Sequence, residues 1–371
     1  MIDSADHERL AVAAFVPYAV DTAPSQRFRI EQWAPCLAES GISVSFHPFA
    51  DEALSSLLQR RGRTLRKFLL TLSAFRRRAL LTATLPSGRL VFLHRAACLA
   101  GPPVVERWLK RRGHRVVYDF DDAIYLLHSA AANRALSWLK QPGKTATICR
   151  LSDHLVVGNS YLAAWAKAHN DAVTVVPTSI DTDAYSVRPT KPAGSPVVVG
   201  WTGSSTSQTY LEAFAPMVRQ LLAGNDVQLR VISSREPAMP GIEYSWRPWS
   251  PESEVRELAE FDVGIMPMPD EEWALGKCAL KALQYMAMGI ATVASPVGAN
   301  KDVITHGVNG LLASTEADWL ECIGSLAASP DLRARLGVAA RRTVEERFSM
   351  RRSASALASV IRGLKGSDPS R

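Results

Sequence analysis

Two parallel α/β domains in tandem are the fold class this sequence predicts, on three observations. The chain has 371 residues, which at about 100 to 200 residues per domain implies two domains, each large enough to bury a core. Short β-rich runs alternate with helical patterns from end to end. Near the middle, a stretch rich in proline and without apolar periodicity interrupts the alternation.

In the first half the runs Val12 to Val16, Ile42 to Phe46, Leu90 to Leu93, Val116 to Tyr118, Leu155 to Val157 and Val173 to Val176 read as strands. The interruption follows, as Val176-Pro177-Thr178-Ser179-Ile180-Asp181-Thr182-Asp183 and then Arg188-Pro189-Thr190-Lys191-Pro192-Ala193-Gly194-Ser195-Pro196, and reads as a linker. Beyond it, Val197 to Gly200, Leu229 to Ile232, Val263 to Met266 and Ala291 to Ala294 are strands, with a further one expected at Ile242 to Tyr244. The tail from Val344 to Leu364 reads as one helix, with Val344, Phe348, Leu357, Val360 and Ile361 apolar among arginines. Two Rossmann-like domains joined in this way leave a cleft between the carboxyl ends of their sheets, where ligands of open α/β sheets bind.

Composition excludes several classes. At 47% hydrophobic and 21% charged, with 22 Gly and 22 Pro, the chain is neither disordered, collagen-like nor a disulfide scaffold. The apolar stretch Leu10 to Val20 has only eleven residues and contains Pro17, so it reads as neither a membrane span nor a signal peptide, and a cytoplasmic address is expected. Cys36, Cys98, Cys149, Cys278 and Cys322 are odd in number and far apart with no C-x-x-C pair, and read as free thiols. Residues 1 to 190 carry 24 Lys/Arg against 16 Asp/Glu, whereas the remainder carries 19 against 20. The excess lies in Arg60, Arg61, Arg63, Arg66, Lys67, Arg76, Arg77 and Arg78, and in Arg107, Lys110, Arg111, Arg112 and Arg115. Such clusters meet anions or form a solvated face.

Two segments carry candidate chemistry. The first, Val197 through Gly203-Ser204-Ser205-Thr206-Ser207, is a strand, a small-residue turn and a helix with Leu211, Phe214, Val218, Leu221 and Leu222 at helical spacing. Unsatisfied amides at such a helix start suit a phosphate, and ordinary Ser/Thr capping fits the same residues. Neither G-x-G-x-x-G nor the P-loop pattern occurs, which counts against an NAD enzyme or an ATPase. The second runs from the strand Val263 to Met266 through Asp270-Glu271-Glu272 into a helix. Its spacing predicts Lys277, Lys281 and Gln284 on one face, with Leu280, Leu283 and Ala287 toward the core. That face is either merely solvated or, beginning just past a strand's carboxyl end, offers Lys277 to a diphosphate.

The stretch from Gly276 through Ser295-Pro296-Val297-Gly298-Ala299-Asn300, and on to His306-Gly307-Val308-Asn309-Gly310-Leu311-Leu312, resembles the donor-binding half of family 4 glycosyltransferases. Their pattern runs E-G-F-G-x-x-x-x-E-A-M-A-x-G-x-P-V-[VI]-A, then a Gly-rich turn, then D-G-x-N-G. Val156-Val157-Gly158-Asn159-Ser160 and Val175 to Asp181 look like the family's segment entering the interdomain linker. Tyr118-Asp119-Phe120-Asp121-Asp122-Ala123 looks like the Y-D-x-D-D-A of a subgroup with a G-K-C-x-x-K-x-L-Q-Y-M-A motif. This resemblance implies the GT-B fold, with residues 1–188 on the acceptor side, 189–345 binding the donor, and a helix over 346–371 packing back on the first domain. It implies retaining transfer of a hexosyl group, in polysaccharide biosynthesis, from a nucleoside-diphosphate sugar to a glycan or lipid-linked acceptor, with no metal or other cofactor.

Donor-binding candidates are Gly203, Ser204, Ser205, Thr206, Arg247, Trp249, Asp270, Lys281, Gln284, Val297 and Gly298; the catalytic candidates are Lys277, Glu272 and Asp122. There are departures from the family pattern. Its two glutamates fall on Gly276 and Gln284, and two of its glycines on Lys277 and Ala279. Gln284 can hydrogen-bond a ribose but carries no charge, and Asp270, Glu271 or Glu272 must replace the first glutamate from the loop. Lys277 and the Gly203 to Thr206 amides stand in for the family's usual diphosphate-binding lysine. Asp119, Asp121 and Asp122 spell a D-x-D metal pattern, yet alternate strand residues face opposite ways, so they read as loop-shaping or acceptor-side groups.

On the acceptor side, Arg27, after the first strand, is a phosphate contact or a surface arginine, and His94 lines the cleft or is structural. Leu65, Phe68, Leu69, Leu72 and Phe75, among the arginines from Arg60 to Arg78, form an amphipathic helix resting on an anionic membrane at the inner face or on the protein's own core. The basic runs lack a nucleic-acid reading motif and stacking aromatics, so no nucleic-acid partner is expected. Two competing readings share the scaffold: a nucleotide-sugar epimerase or hydrolase, and a non-catalytic binding protein.

Overall fold

The structure, a computed structural model, describes residues 10–58, 62–126, 143–189, 191, 194–224 and 226–366, without the side chains of Ser205 and Thr206. Arg60 and Arg61 of the first basic cluster, and Thr190, Pro192 and Ala193 of the expected linker, lie outside the described residues. Two compact units emerge: Met1–Thr178 together with Met350–Arg371, and Ser179–Ser349.

The first unit holds a parallel sheet of β1 (Leu10–Val16), β2 (Ile42–Pro48), β3 (Leu90–His94), β4 (Arg115–Phe120), β5 (His154–Val157) and β6 (Val173–Val175), in the order β2-β1-β3-β4-β5-β6. The second holds β7 (Val197–Gly203), β8 (Val227–Ser233), β9 (Ser245–Pro248), β10 (Val263–Met266), β11 (Ala291–Ala294) and β12 (Leu311–Leu312), in the order β12-β11-β10-β7-β8-β9 and again parallel. Strand order therefore reverses between β1 and β3 in one sheet and between β7 and β10 in the other, the position at which open α/β sheets hold ligands.

Several expected boundaries move. The units divide at Thr178, earlier than residue 188, because the next residues are built into the second unit. Ile180 and Tyr185 are buried, the Ile180 N–H donates to Phe348 O at 2.9 Å, and Arg188 pairs with Asp262 at 2.9 Å. The second boundary falls at Ser349, later than residue 345. The tail read as one helix is two, Pro330–Arg347 and Met350–Gly366, since the bridge between Ile180 and Ser349 interrupts the helical ladder. The second of these helices adds Ala354, Leu357, Ala358 and Ile361 to the first unit's core, with Val12, Ala14, Trp33 and Leu37. A strand forms at Ser245–Pro248 and not at Ile242 to Tyr244. The helix expected from Ser205 onward is two helices, Ser205–Ala213 and Ala215–Gly224.

All five cysteines are free and buried. Burial pushes the Cys98 and Cys149 thiols up to about 12 and that of Cys322 to about 11, and it is the thiolate that reacts. Iodoacetamide at neutral pH is expected to leave native protein unlabelled and to label all five thiols in denaturant, as read by intact mass. Rapid native labelling would contradict the burial.

Candidate functional site

In the second unit, the candidate donor segments converge at the carboxyl ends of neighbouring strands. β7 ends at Gly203, where a Cβ would strike the ring of Trp201. The ammonium of Lys281 lies 5.5 Å from the centre of that Trp201 ring. Gly264 on β10 likewise admits the ring of Tyr285, whose hydroxyl accepts the Thr202 N–H at 2.9 Å and so ties the end of β7 to the helix Leu280–Ala287. Tyr210 donates to Glu271 at 2.8 Å, joining the helix after β7 to the acidic loop after β10. Gly298, at φ +55°, sets its α-carbon against the end of the short helix Glu272–Leu275, where a Cβ would meet Leu275 O at 2.9 Å. The turn at Val297 and Gly298 is thereby packed on the loop that carries Lys277.

The expected helix face breaks down here. The helix begins at Leu280, after Ala279 in a left-handed conformation at φ +56°, so Lys277 sits in a loop and shares no helix face with Lys281 and Gln284. Positive φ is what the family pattern's glycine allows, and Ala279 adopts it at a steric cost. The Lys277 ammonium lies 5.5 Å from the centre of the Trp273 ring. Asp270, Glu271 and Glu272 are exposed, and Glu272 opens the short helix.

Gln284 is buried on the inward side, not on a polar face. Its amide donates to Glu254 Oε1 at 3.0 Å and to the Tyr185 hydroxyl at 3.2 Å. Glu254, also buried, accepts the Trp249 indole N–H at 2.9 Å and the Tyr185 hydroxyl at 2.6 Å. Gln284 and Trp249 are thus brought together through a carboxylate that pattern reading did not single out. No local signal marks Glu254, which opens the helix Glu254–Leu258 among other acids. Arg247 is exposed on β9, within 4.0 Å of Glu257. Ser204 precedes the helix Ser205–Ala213, and its carbonyl accepts the Ser207 N–H.

The first unit holds a second constellation at its own reversal point. His94, at the end of β3, and Asp119, on β4, are fully buried. His94 Nδ1 lies 2.7 Å from Asp119 Oδ2, and Nε2 lies 3.0 Å from the Ser25 hydroxyl. Ser25 donates to Asp121 at 2.7 Å, and Arg95 bridges Asp121 and Asp122 at 2.7 and 2.9 Å. Arg29, buried, forks onto Asp119 and donates to Val176 O. Burial alone would raise the Asp119 carboxyl, but the Arg29 guanidinium together with His94 holds it below the usual carboxylate range. The same opposition, with Arg95 the leading cation, lowers Asp121. All three carboxylates of the D-x-D-D run face cationic or histidine side chains, and Asp122 is partly exposed. Arg27 is buried over the Phe28 ring at 4.6 Å, so the surface-arginine alternative falls away. Sequence reading missed Arg29, Arg95 and Ser25, although Arg29 lies one helical turn beyond Ser25.

With one parallel α/β sheet in each unit the chain has the GT-B fold, which it shares with solved glycosyltransferases. Sucrose-phosphate synthase from Thermosynechococcus elongatus aligns over 97% of this chain and 100% of its own, at 15% identity and a TM-score of 0.70. A glycosyltransferase from Rickettsia africae aligns over 98% and 100%, at 12% and 0.68. HepE of Anabaena, solved with UDP-glucose, aligns over 95% and 100%, at 15% and 0.65. Residues 197–329, the run that carries the donor candidates of the second unit, match the family model of the glycosyl transferases group 1. No curated protein matches the chain in sequence.

Proposed function

We propose that the protein is a glycosyltransferase that moves a hexosyl group from a nucleoside-diphosphate sugar to a glycan or lipid-linked acceptor, with retention of configuration. It would act in polysaccharide biosynthesis, on the cytoplasmic side and peripheral to the membrane. The observation that carries this reading is the convergence of the Gly203 turn, the Asp270 to Gln284 segment and the Val297-Gly298 turn at one sheet edge, inside the run matching the family model. HepE, of the same fold, was solved with UDP-glucose.

In this reading Lys277 and the amides at Gly203 to Thr206 stabilise the departing diphosphate by preorganised charge. Gln284, held by Glu254, hydrogen-bonds the ribose, and that buried carboxylate supplies the negative charge Gln284 lacks. Trp249 and Arg247 border the base, Lys281 supports the phosphates, and Asp270 and Glu272 meet sugar hydroxyls. Asp122 and Arg27 belong to the acceptor side, whereas His94, buried between Asp119 and Ser25, positions that constellation from behind. No metal is required, since cations of the chain neutralise the leaving group.

A melting-temperature screen against UDP, GDP, ADP and their sugars tests the reading. One nucleoside diphosphate is expected to raise the melting temperature, and its sugar to be transferred in the presence of EDTA, with the product anomer read by NMR. Gly276, standing where the family has a glutamate, favours a second reading as a non-catalytic binding protein. Nucleotide binding without transfer to any acceptor would support it.

A further inference from the structure

The helix Thr64–Thr84 is turned inside out. It buries Ala74, Arg78 and Thr82, while Leu65 is 71% exposed, Phe68 64%, Leu69 55% and Leu72 49%. Spaced three and four apart, these four project together over the first two turns. Isolated exposed apolar residues are ordinary, whereas four adjacent large ones mark an interaction surface.

Arg78 fixes the orientation. It is only 3% exposed, donates to His47 O at 2.8 Å and Val16 O at 3.3 Å, and lies 4.4 Å from the centre of the Phe15 ring. Arg77 pairs with Asp51 at 2.9 Å. Of the three consecutive arginines, Arg76 therefore shares the outward face with the apolar stripe, and Arg63 and Arg66 are also exposed near its start. No acidic residue occurs between Thr64 and Thr84.

We propose that this face inserts into the headgroup and acyl boundary of an anionic lipid bilayer, with Leu65, Phe68, Leu69 and Leu72 entering the boundary and Arg63, Arg66 and Arg76 meeting lipid phosphates. Charge selects the occupant. A second copy docked on the same face would oppose arginine to arginine, whereas an anionic interface supplies both an apolar layer and the opposite charge. The inference deepens the reading of a peripheral enzyme with a lipid-linked acceptor but stands on this helix alone.

The test is co-sedimentation at low salt with vesicles of phosphatidylglycerol and phosphatidylcholine in equal parts, against phosphatidylcholine alone. Wild-type protein is expected to sediment with the anionic vesicles only. The variant Leu65→Ser/Phe68→Ser/Leu69→Ser is expected to lose at least about tenfold in partitioning, because apolar insertion is removed. Arg66→Gln/Arg76→Gln should bind less at low salt and approach wild type as salt screens the charges. Arg78 is left intact because it holds the fold. Melting temperatures, and their rise with nucleotide, should match wild type in both variants, so failure of lipid binding and failure of the transferase reading are told apart. Wild type that ignores anionic vesicles, or a serine variant that binds as well as wild type, would overturn the proposal. So would a wild-type dimer that the serine variant converts to a monomer, which would assign the face to a second copy.

Discussion

Replacing Lys277 by alanine is expected to lower turnover about 10²- to 10³-fold, the usual consequence of removing one preorganised donor to a developing charge. The side chain springs from the loop between the short helix Glu272–Leu275, on which Gly298 packs, and left-handed Ala279, and the Lys277 N–H donates to Ala274 O at 3.1 Å, so its position is not set by the register of the next helix. In the proposed transfer its charge is wanted most when the diphosphate departs, and the loss should therefore fall on kcat at least as strongly as on donor affinity. Lys281→Ala should be milder, since that ammonium lies over the Trp201 ring. Steady-state kinetics with the donor found in the screen provide the measurement. Small and equal effects from both variants would reduce the two lysines to a solvated face.

Replacing Arg29 by methionine is expected to destabilise the first unit by about 3 to 5 kcal/mol, because it leaves the Asp119 charge buried without its main partner. In the wild type, Asp119 and Asp121 have carboxyls lowered by folding. Their contribution to stability is complete above the unfolded carboxylate value of about 4 and is lost as pH falls through the folded values. Without Arg29, burial is opposed at Asp119 by His94 alone and is expected to raise the carboxyl, so folding takes up a proton there and stability falls as pH rises above about 4. Denaturant melts at acid and neutral pH should show the deficit of the variant growing toward neutrality. A deficit independent of pH would mean that lost packing over Trp33, 4.8 Å from the guanidinium, causes the effect.

Asp119 and Asp121 stood out in the sequence, but their partner Arg29 did not. A charged residue in a sequence reads as surface, and nothing local tells Arg29 that its partner lies on β4, far along the chain. Strands were legible where apolar residues run together: Val263–Met266 and Ala291–Ala294 have the bounds their composition gives. β9 was misplaced because an edge strand reading Ser-Trp-Arg-Pro has little apolar content, and β12 was missed because two residues make no pattern. The Lys277 to Gln284 spacing suited a helix, but the left-handed Ala279 stops it from starting there, and no count of apolar positions reveals a backbone φ. The candidate donor segments follow β7, β10 and β11, and strand placement alone brings them to one sheet edge. Glu254 was not, since its meaning comes only from the Trp249, Tyr185 and Gln284 side chains that surround it.

The return of the chain into the first unit sets the order in which the molecule can be made. A ribosome delivers Val12, Trp33 and Leu37 long before Leu357 and Ile361, their partners in one core. Ser179–Ser349, by contrast, is an unbroken run that has all its own strands as soon as it leaves the exit tunnel. The unit synthesised first is therefore completed last, and its apolar flank waits uncovered through the whole synthesis of the other.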